Sequence, residues 1–351
     1  MDLFGAADAD VVGYEGLEET AGTAGVVEDD GARYLDLAHR QLPEVSGLSI
    51  DIGQRDMSTV NRDCYSVVVT TDSAGVTRSA VVTGAARGIG LAIGQRLADD
   101  GWLVVGVDRD GDRLSLAMDS IGGVAVGGDV REGEVLAAAR SAAEVCTLSA
   151  WVNNAGLVRL GPLHDMDPAA IHEVLSVDLC AVVMGTREAL SSYLANDVPG
   201  SIVNISSIHA RAAFPGFAAY DTAKGGVEAL SRSVCVEYGH LGIRCNTVAP
   251  GAVRTDIVSY PHAHGLDDVD GTTRTPGVGG GHGPLADLHP PVENMAPMRR
   301  QSEPMEIAHA VAFLLDPRSK AVNGHCLAVD NGMSSWSYAF EPDPTVGFKR
   351  R

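Results

Sequence analysis

Three side chains within eighteen residues carry the chemistry legible in this chain: Ser207, Tyr220 and Lys224, in the stretch from Asn204-Ile-Ser-Ser207 to Tyr220-Asp-Thr-Ala-Lys224. On a helix, residues four apart share a face, so Lys224 can set its ammonium beside the Tyr220 ring while Ser207 approaches from a neighbouring strand end. A phenol has an ordinary pKa of about 10, and bringing it to about 7 needs roughly 4 kcal/mol of preferential stabilisation of the phenolate. Adjacent positive charge supplies that stabilisation. With 8 Tyr and three lysines (Lys224, Lys320, Lys349) in 351 residues, a Tyr-x-x-x-Lys pair arises by chance about 0.07 times. The pattern therefore points to an acid/base site, with Ser206 as a less well spaced alternative to Ser207.

Such a site needs something to position it and something to react with. Upstream, the β-branched run Ser79-Ala-Val-Val-Thr83 breaks into Gly84-Ala-Ala-Arg87-Gly88-Ile89-Gly90 and then an apolar-periodic helix from Leu91 to Leu97. Strand, glycine turn and helix start form a cradle for a pyrophosphate, because the glycines let the backbone approach closely and the unpaired helix amides favour negative charge. Trp102-Leu-Val-Val-Gly-Val107 reads as a second buried strand ending in Asp108, where a carboxylate would meet an adenosine ribose. A carboxylate there accepts from the ribose hydroxyls and repels a 2′-phosphate, which argues for NAD over NADP, while Arg109 and Arg87 nearby leave NADP open. Asp108 can equally serve as the cap of the following helix.

From about Arg78 to Ser335 these features and their order resemble the short-chain dehydrogenase/reductase family, of the compact single-domain type. The family pattern appears as Thr83-Gly84-x-x-x-Gly88-x-Gly90, then Asp129-Val130, Asn153-Asn154-Ala155-Gly156, Ser207, Tyr220 and Lys224, Pro250-Gly251 with Val253 and Thr255, and a closing Cys326-Leu-Ala-Val329. The resemblance implies that Asp129 and Val130 meet the adenine, that Asn154 to Gly156 and Pro250 to Thr255 line the cofactor, and that Thr255 lies beside the nicotinamide. It further implies that Tyr220 is the acid/base, that Lys224 lowers its pKa and holds the nicotinamide ribose, and that Ser207 bonds the substrate oxygen. In Ser176-Val-Asp178-Leu-Cys180 the family usually has asparagine at the position of Asp178, holding a water that relays protons. An ionised Asp178 would steady the ammonium yet oppose the phenolate. A neutral one would behave much like asparagine. His209 and Arg211 either edge the substrate pocket or belong to a solvated loop. An NADP-dependent ketoreductase of 3-oxoacyl type and a non-catalytic cofactor-binding regulator are the competing readings.

The body reads as alternating strands and helices, with strands near 79–83, 103–107, 124–127, 149–152, 201–205, 243–248 and 325–329. This predicts an α/β fold, a Rossmann-type doubly wound parallel sheet of about seven strands with helices on both faces. The domain is expected over 78–337, with a Gly-rich lid or insertion at 256–297 and a tail over 338–351. Residues 1–77 hold fifteen Asp or Glu against four Arg, −11 of the net −20. This acidic leader shows little apolar periodicity before Tyr65 and is expected to be largely flexible, with a small hairpin over Gly25 to Leu37. A start misassigned upstream, with Met57 as an alternative initiator, explains it as well as a regulatory arm does.

The acidity opposes nucleic acid or anionic membrane as partners, and no apolar run approaches the roughly 20 residues of a bilayer span. A cytoplasmic enzyme acting on a small molecule, as a homotetramer or homodimer, is the expectation. The six scattered cysteines predict neither zinc nor disulfides. The insertion's His262, His264, His282 and His289 lack metal-ligand spacing.

Overall fold

The computed structural model describes residues 48–54, 65–71, 78–255 and 296–335. The expectations for Gly25 to Leu37, for nearly all of the insertion, including its four histidines, and for the tail lie outside those residues.

Two segments of the leader are described, and both are strands. Strand β1 (Leu48–Gln54) pairs antiparallel with β2 (Tyr65–Thr71) in a separate two-stranded sheet. The period-two signal is present in Leu48, Ile50 and Ile52, alternating with Ser49, Asp51 and Gly53.

The body is a seven-stranded parallel sheet of β3 (Arg78–Thr83), β4 (Leu103–Asp108), β5 (Val124–Gly127), β6 (Thr147–Asn153), β7 (Ser201–Ile205), β8 (Arg244–Pro250) and β9 (Cys326–Val329). Their spatial order is β5-β4-β3-β6-β7-β8-β9, every pairing parallel. The order reverses between β3 and β6, which opens a crevice at their carboxyl ends, the place where such sheets bind ligands.

Helices cover both faces: α1 (Gly88–Asp99), α2 (Gly111–Asp119), α3 (Gly133–Ala143), α4 (Pro168–Leu175), α5 (Ala181–Ala195), α6 (Ala218–Tyr238) and α7 (Pro304–Leu315). Because side chains alternate along a strand, Val81 joins the core under α3, α5 and α6, while Ala80 and Val82 join the core under α1, α2 and α7. Both faces are buried, which is why these strands read as continuous apolar runs rather than alternating ones. Trp151 and Ile202 anchor the first core, and Ile93, Leu97 and Leu314 the second, all within 1% of full burial.

Helices α4 and α5 are joined without a break by a π-helical turn, Ser176–Cys180. The continuous helix Pro168–Ala195 has 28 residues and a mean hydropathy of 1.5 in its most apolar window, long and apolar enough by composition to span a bilayer. The sequence reading missed this because Glu173, Asp178 and Arg187 interrupt the apolar run. Here Val174, Ala181 and Ala189 pack it into the first core.

Candidate active site

The turn after β3 takes its shape from glycine. Gly84 and Gly88 have φ of 67° and 57°, the left-handed region that disfavours side chains. A Cβ on Gly90 would stand 2.0 Å from the Gly84 carbonyl oxygen, so the turn closes only with glycine there. Arg87 is the extended N-cap of α1, which has no side-chain cap and no acidic residue in its first turn. Ile89, in that turn, packs onto the second core. The Thr83 hydroxyl accepts from the amides of Asn154 (2.9 Å) and Ala155 (3.0 Å), and Asn154 Nδ2 donates to the Thr83 carbonyl at 2.9 Å. The Asn-Asn-Ala-Gly segment is thereby tied to the glycine turn.

Asp108 ends β4 with one carboxylate oxygen accepting from the Ala86 amide and the other from the Asp110 amide, each at 3.1 Å. It is a turn carboxylate beside the glycine loop and not the cap of α2, which is Asp110, whose side chain accepts from the Arg113 amide at 3.2 Å. Asp129 is chelated by Arg131, whose guanidinium hydrogen bonds hold the carboxyl below the usual carboxylate range. Val130 is buried beside it. On the far side of the crevice, Pro250 ends β8, a Cβ on Gly251 would stand 2.9 Å from the Asp330 Cα, and Val253 bridges to Ser302. Thr255 returns over the turn, its methyl 3.4 Å from where a Gly88 Cβ would be. Glycine backbone, a helix start without a side-chain cap and converging strand ends fit a dinucleotide, with the α1 amides suited to donate to a pyrophosphate and Asp108 suited to accept from a ribose.

Next to this cradle, Tyr220 and Lys224 stand one turn apart on α6, and Lys224 Nζ lies 5.4 Å from the Tyr220 ring centroid. Lys224 Nζ donates to the Ile205 carbonyl at 3.2 Å, which binds it to the end of β7. The two serines separate cleanly. Ser206 donates to the Lys224 carbonyl at 3.3 Å, whereas Ser207 accepts from the His209 amide at 3.3 Å and its hydroxyl favours the ionised form of the Tyr220 phenol.

Asp178, in the π turn, is completely buried and pairs with Lys224 at 3.1 Å while accepting the Leu157 amide at 2.9 Å. A Cβ on Gly156 would meet this carboxylate at 2.9 Å. Sequence alone gave no sign that the contact is direct. In an α-helix residues five apart point roughly 140° apart, and the wider i+5 turn brings them towards one side. Glu173 and Asp178 thus both engage the loop after Gly156, Glu173 pairing with the buried Arg159 at 2.7 Å.

Burial pushes the Tyr220 phenol above its ordinary value; Lys224 pulls it back and Asp178 pushes it further up. The expected lowering by Lys224 is therefore present but outweighed in the chain alone. Burial alone would lower Lys224, but the charges of Asp178 and Tyr220 more than offset it and hold the ammonium above its usual value. Burial raises the Asp178 carboxyl, against the opposing pull of Lys224. The set is a phenol flanked by a secured ammonium and a hydroxyl, capable of moving one proton at a substrate oxygen.

Sequence reasoning also left open what the His209 segment does. His209 Nδ1 lies 2.7 Å from Asp221 Oδ1, and its ring is 5.4 Å from Tyr220, edge on. Arg211 turns away to Glu228 at 3.1 Å.

A model described as short chain dehydrogenase matches residues 78–264, and one described as enoyl-(acyl carrier protein) reductase matches residues 269–334. The chain is 36% identical over 265 residues to cis-4-hydroxycyclohexanecarboxylate dehydrogenase of Sinomonas cyclohexanicum, covering 74% of this chain and 97% of that protein. It is 32% identical over 265 residues to 3beta-hydroxysteroid dehydrogenase 1 of Eggerthella lenta, covering 73% and 94%. Among solved structures, gluconate 5-dehydrogenase from Burkholderia cenocepacia in complex with NADP and tartrate has a TM-score of 0.61 at 29% identity, covering 74% of this chain and 96% of that one. An actinorhodin polyketide ketoreductase variant with NADPH has a TM-score of 0.64 at 26% identity, covering 74% and 98%. The chain belongs to the short-chain dehydrogenase/reductase family. Within it, the protein is a nicotinamide-dependent oxidoreductase acting on CH–OH groups.

Proposed function

We infer that this protein is an NAD-dependent dehydrogenase interconverting a secondary alcohol and its ketone. The observation that carries the reading is the set of Ser207, Tyr220 and Lys224 gathered at the end of β7, beside the glycine cradle. The chemistry a bound nicotinamide supplies is hydride acceptance from the carbinol carbon in oxidation and hydride donation in reduction. Gly84, Gly88, Gly90 and the α1 amides would hold its pyrophosphate, Asp108 its adenosine ribose, and Lys224 its nicotinamide ribose. In oxidation the Tyr220 phenolate takes the hydroxyl proton. Ser207, oriented by the His209 amide, donates to the substrate oxygen as charge develops there. In reduction Tyr220 returns the proton.

NAD rather than NADP is supported by Asp108, whose carboxylate is fixed by two backbone amides and would face a 2′-phosphate as a like charge. Arg109, next along the chain, supports the second reading, an NADP-dependent ketoreductase. Steady-state kcat/KM for a panel of secondary alcohols and ketones with both cofactors decides. Preference for NAD(H), narrowed by Asp108→Ala, is the expected result; equal or better use of NADP(H) assigns the ketoreductase. Self-association as a homotetramer or homodimer belongs to the same reading, supported by the apolar Val183, Met184 and Val236 exposed on α5 and α6. Sedimentation velocity tests it.

A further inference from the structure

Ser207 and Tyr220 reach the reacting oxygen from two separate segments, and those segments must be held in register. Ser207 opens a short 3-10 turn, Ile208–Ala210, its hydroxyl accepting from the His209 amide at 3.3 Å and its carbonyl from the Ala210 amide at 3.0 Å. Tyr220 lies in the first turn of α6, whose N-cap residue, Phe217, makes no side-chain cap hydrogen bond. Helix ends left without such support fray. On the β7 side of Ser207 the segments are tied by Lys224 Nζ, which donates to the Ile205 carbonyl at 3.2 Å, and by Ser206 Oγ, which donates to the Lys224 carbonyl at 3.3 Å. On the other side His209 Nδ1 lies 2.7 Å from Asp221 Oδ1. Ser207 therefore sits between two ties, and Tyr220 adjoins the second.

An ionised carboxylate only accepts, so His209 Nδ1 carries the proton, as it can in the neutral and the charged ring alike. The bond is charge-assisted, and with side chains 16% and 15% exposed it meets little competition from water. Asp221 also suits the dipole at the start of α6, but the dipole alone calls for no histidine partner. Resting on the reading of Ser207 and Tyr220 given above, we propose that His209 and Asp221 are positioning residues, whose hydrogen bond clamps the loop after β7 to the first turn of α6 and so fixes Ser207 against Tyr220. A misplacement of about 1 Å at a reacting group can cost roughly 10²-fold in rate. The clasp, two residues from Ser207 and one from Tyr220, thus acts on turnover rather than on cofactor affinity.

The test is a double-mutant cycle on the full chain, read as initial rates on cyclohexanol, 2-hexanol and galactitol with NAD and with NADP. His209→Leu, which keeps bulk and loses the donor, should lower kcat by about tenfold or more, while the Kd for NADH from fluorescence titration is retained. His209→Asn, whose Nδ2 takes the place of Nδ1, should keep most of the native rate. In a Ser207→Ala background the same His209→Leu change should cost less than about threefold, because the group it positions is gone. Equal losses in the two backgrounds, or a His209→Leu enzyme as fast as the native one, overturn the proposal. If His209→Leu does not fold, Asp221→Ala runs the same cycle; if neither folds, the pair is structural and the proposal falls. If the native chain oxidises none of the three alcohols, the failure is that of the alcohol-oxidising reading, and hydrogen–deuterium exchange decides the clasp. Faster exchange of the amides around Ser207 and Tyr220 in His209→Leu, reversed in His209→Asn, supports it, and native exchange rates in His209→Leu overturn it.

Discussion

Replacing Asp178 by asparagine removes one charge from the centre of the site and almost nothing from its shape. The Lys224 ammonium stands 3.1 Å from this carboxylate and 5.4 Å from the centre of the Tyr220 ring, so the carboxylate and the phenol are close enough to oppose each other. Taking roughly 8 Å between them at an effective dielectric constant of about 20 gives about 2 kcal/mol of repulsion against the phenolate, or about 1.5 pKa units. Asp178 raises the Tyr220 pKa, and its removal lowers it. In the oxidative direction the phenolate is the working base, so activity climbs as pH rises through the Tyr220 pKa. Asp178→Asn should therefore move that limb to lower pH by about one unit, somewhat less than the full Coulombic figure because an unpaired buried Lys224 holds its proton less firmly. The asparagine carbonyl still accepts the Leu157 amide, yet the ammonium loses its counter-ion, and the fold should lose about 3 kcal/mol, the lower end for breaking a buried pair. The assay is the pH dependence of kcat/KM for alcohol oxidation, with a thermal melt alongside. Superimposable profiles would mean that Asp178 carries no charge in the working enzyme, and an upward shift would refute the electrostatic argument outright.

Tyr220→Phe removes the group that exchanges the proton, and turnover should fall by about 10² or more while cofactor binding, followed by fluorescence titration, is retained. Gly90→Ala places a Cβ 2.0 Å from the Gly84 carbonyl oxygen; the turn must open, so calorimetry should show loss of cofactor binding together with about 1–3 kcal/mol of stability. Deleting residues 1–77 takes away β1 and β2 together, a sheet separate from the seven-stranded one. The shortened chain should melt and turn over close to the full-length protein, and failure to fold would show that the leader belongs to the body.

The parallel sheet was legible because both its faces are buried, so each strand is an apolar run punctuated by a ligand-binding turn. The cofactor turn and the Tyr220 to Lys224 pair were legible for a similar reason: glycine and a four-residue helical spacing encode geometry locally. What stayed hidden depends on contacts distant in sequence. Nothing in Ser176-Val-Asp178-Leu-Cys180 announces a π turn, and although the family resemblance set Asp178 near the ammonium, its direct pairing at 3.1 Å is with a residue 46 further on, Lys224. The pairing of His209 with Asp221 required knowing how the loop after Ser207 folds back on the first turn of α6. The β1 strand was not anticipated: its alternation of Leu48, Ile50 and Ile52 is short and lies within an acidic stretch.

The π turn makes the chain sensitive to length where it is otherwise tolerant of composition. Each residue of an α-helix advances the helix by about 100°. Removing Ser176 or Val177 would convert the wide turn to an ordinary one and swing α4 by that angle relative to α5. Glu173 would then leave Arg159 or Asp178 would leave Lys224, since the two pairs lie on either side of the deleted step. Substitutions at Ser176, Val177 or Leu179 change packing by degrees, whereas a one-residue deletion forces a choice between the ion pair that holds the loop and the one that holds the lysine. Among variants that survive in this segment, changes of residue should therefore be common and changes of length absent.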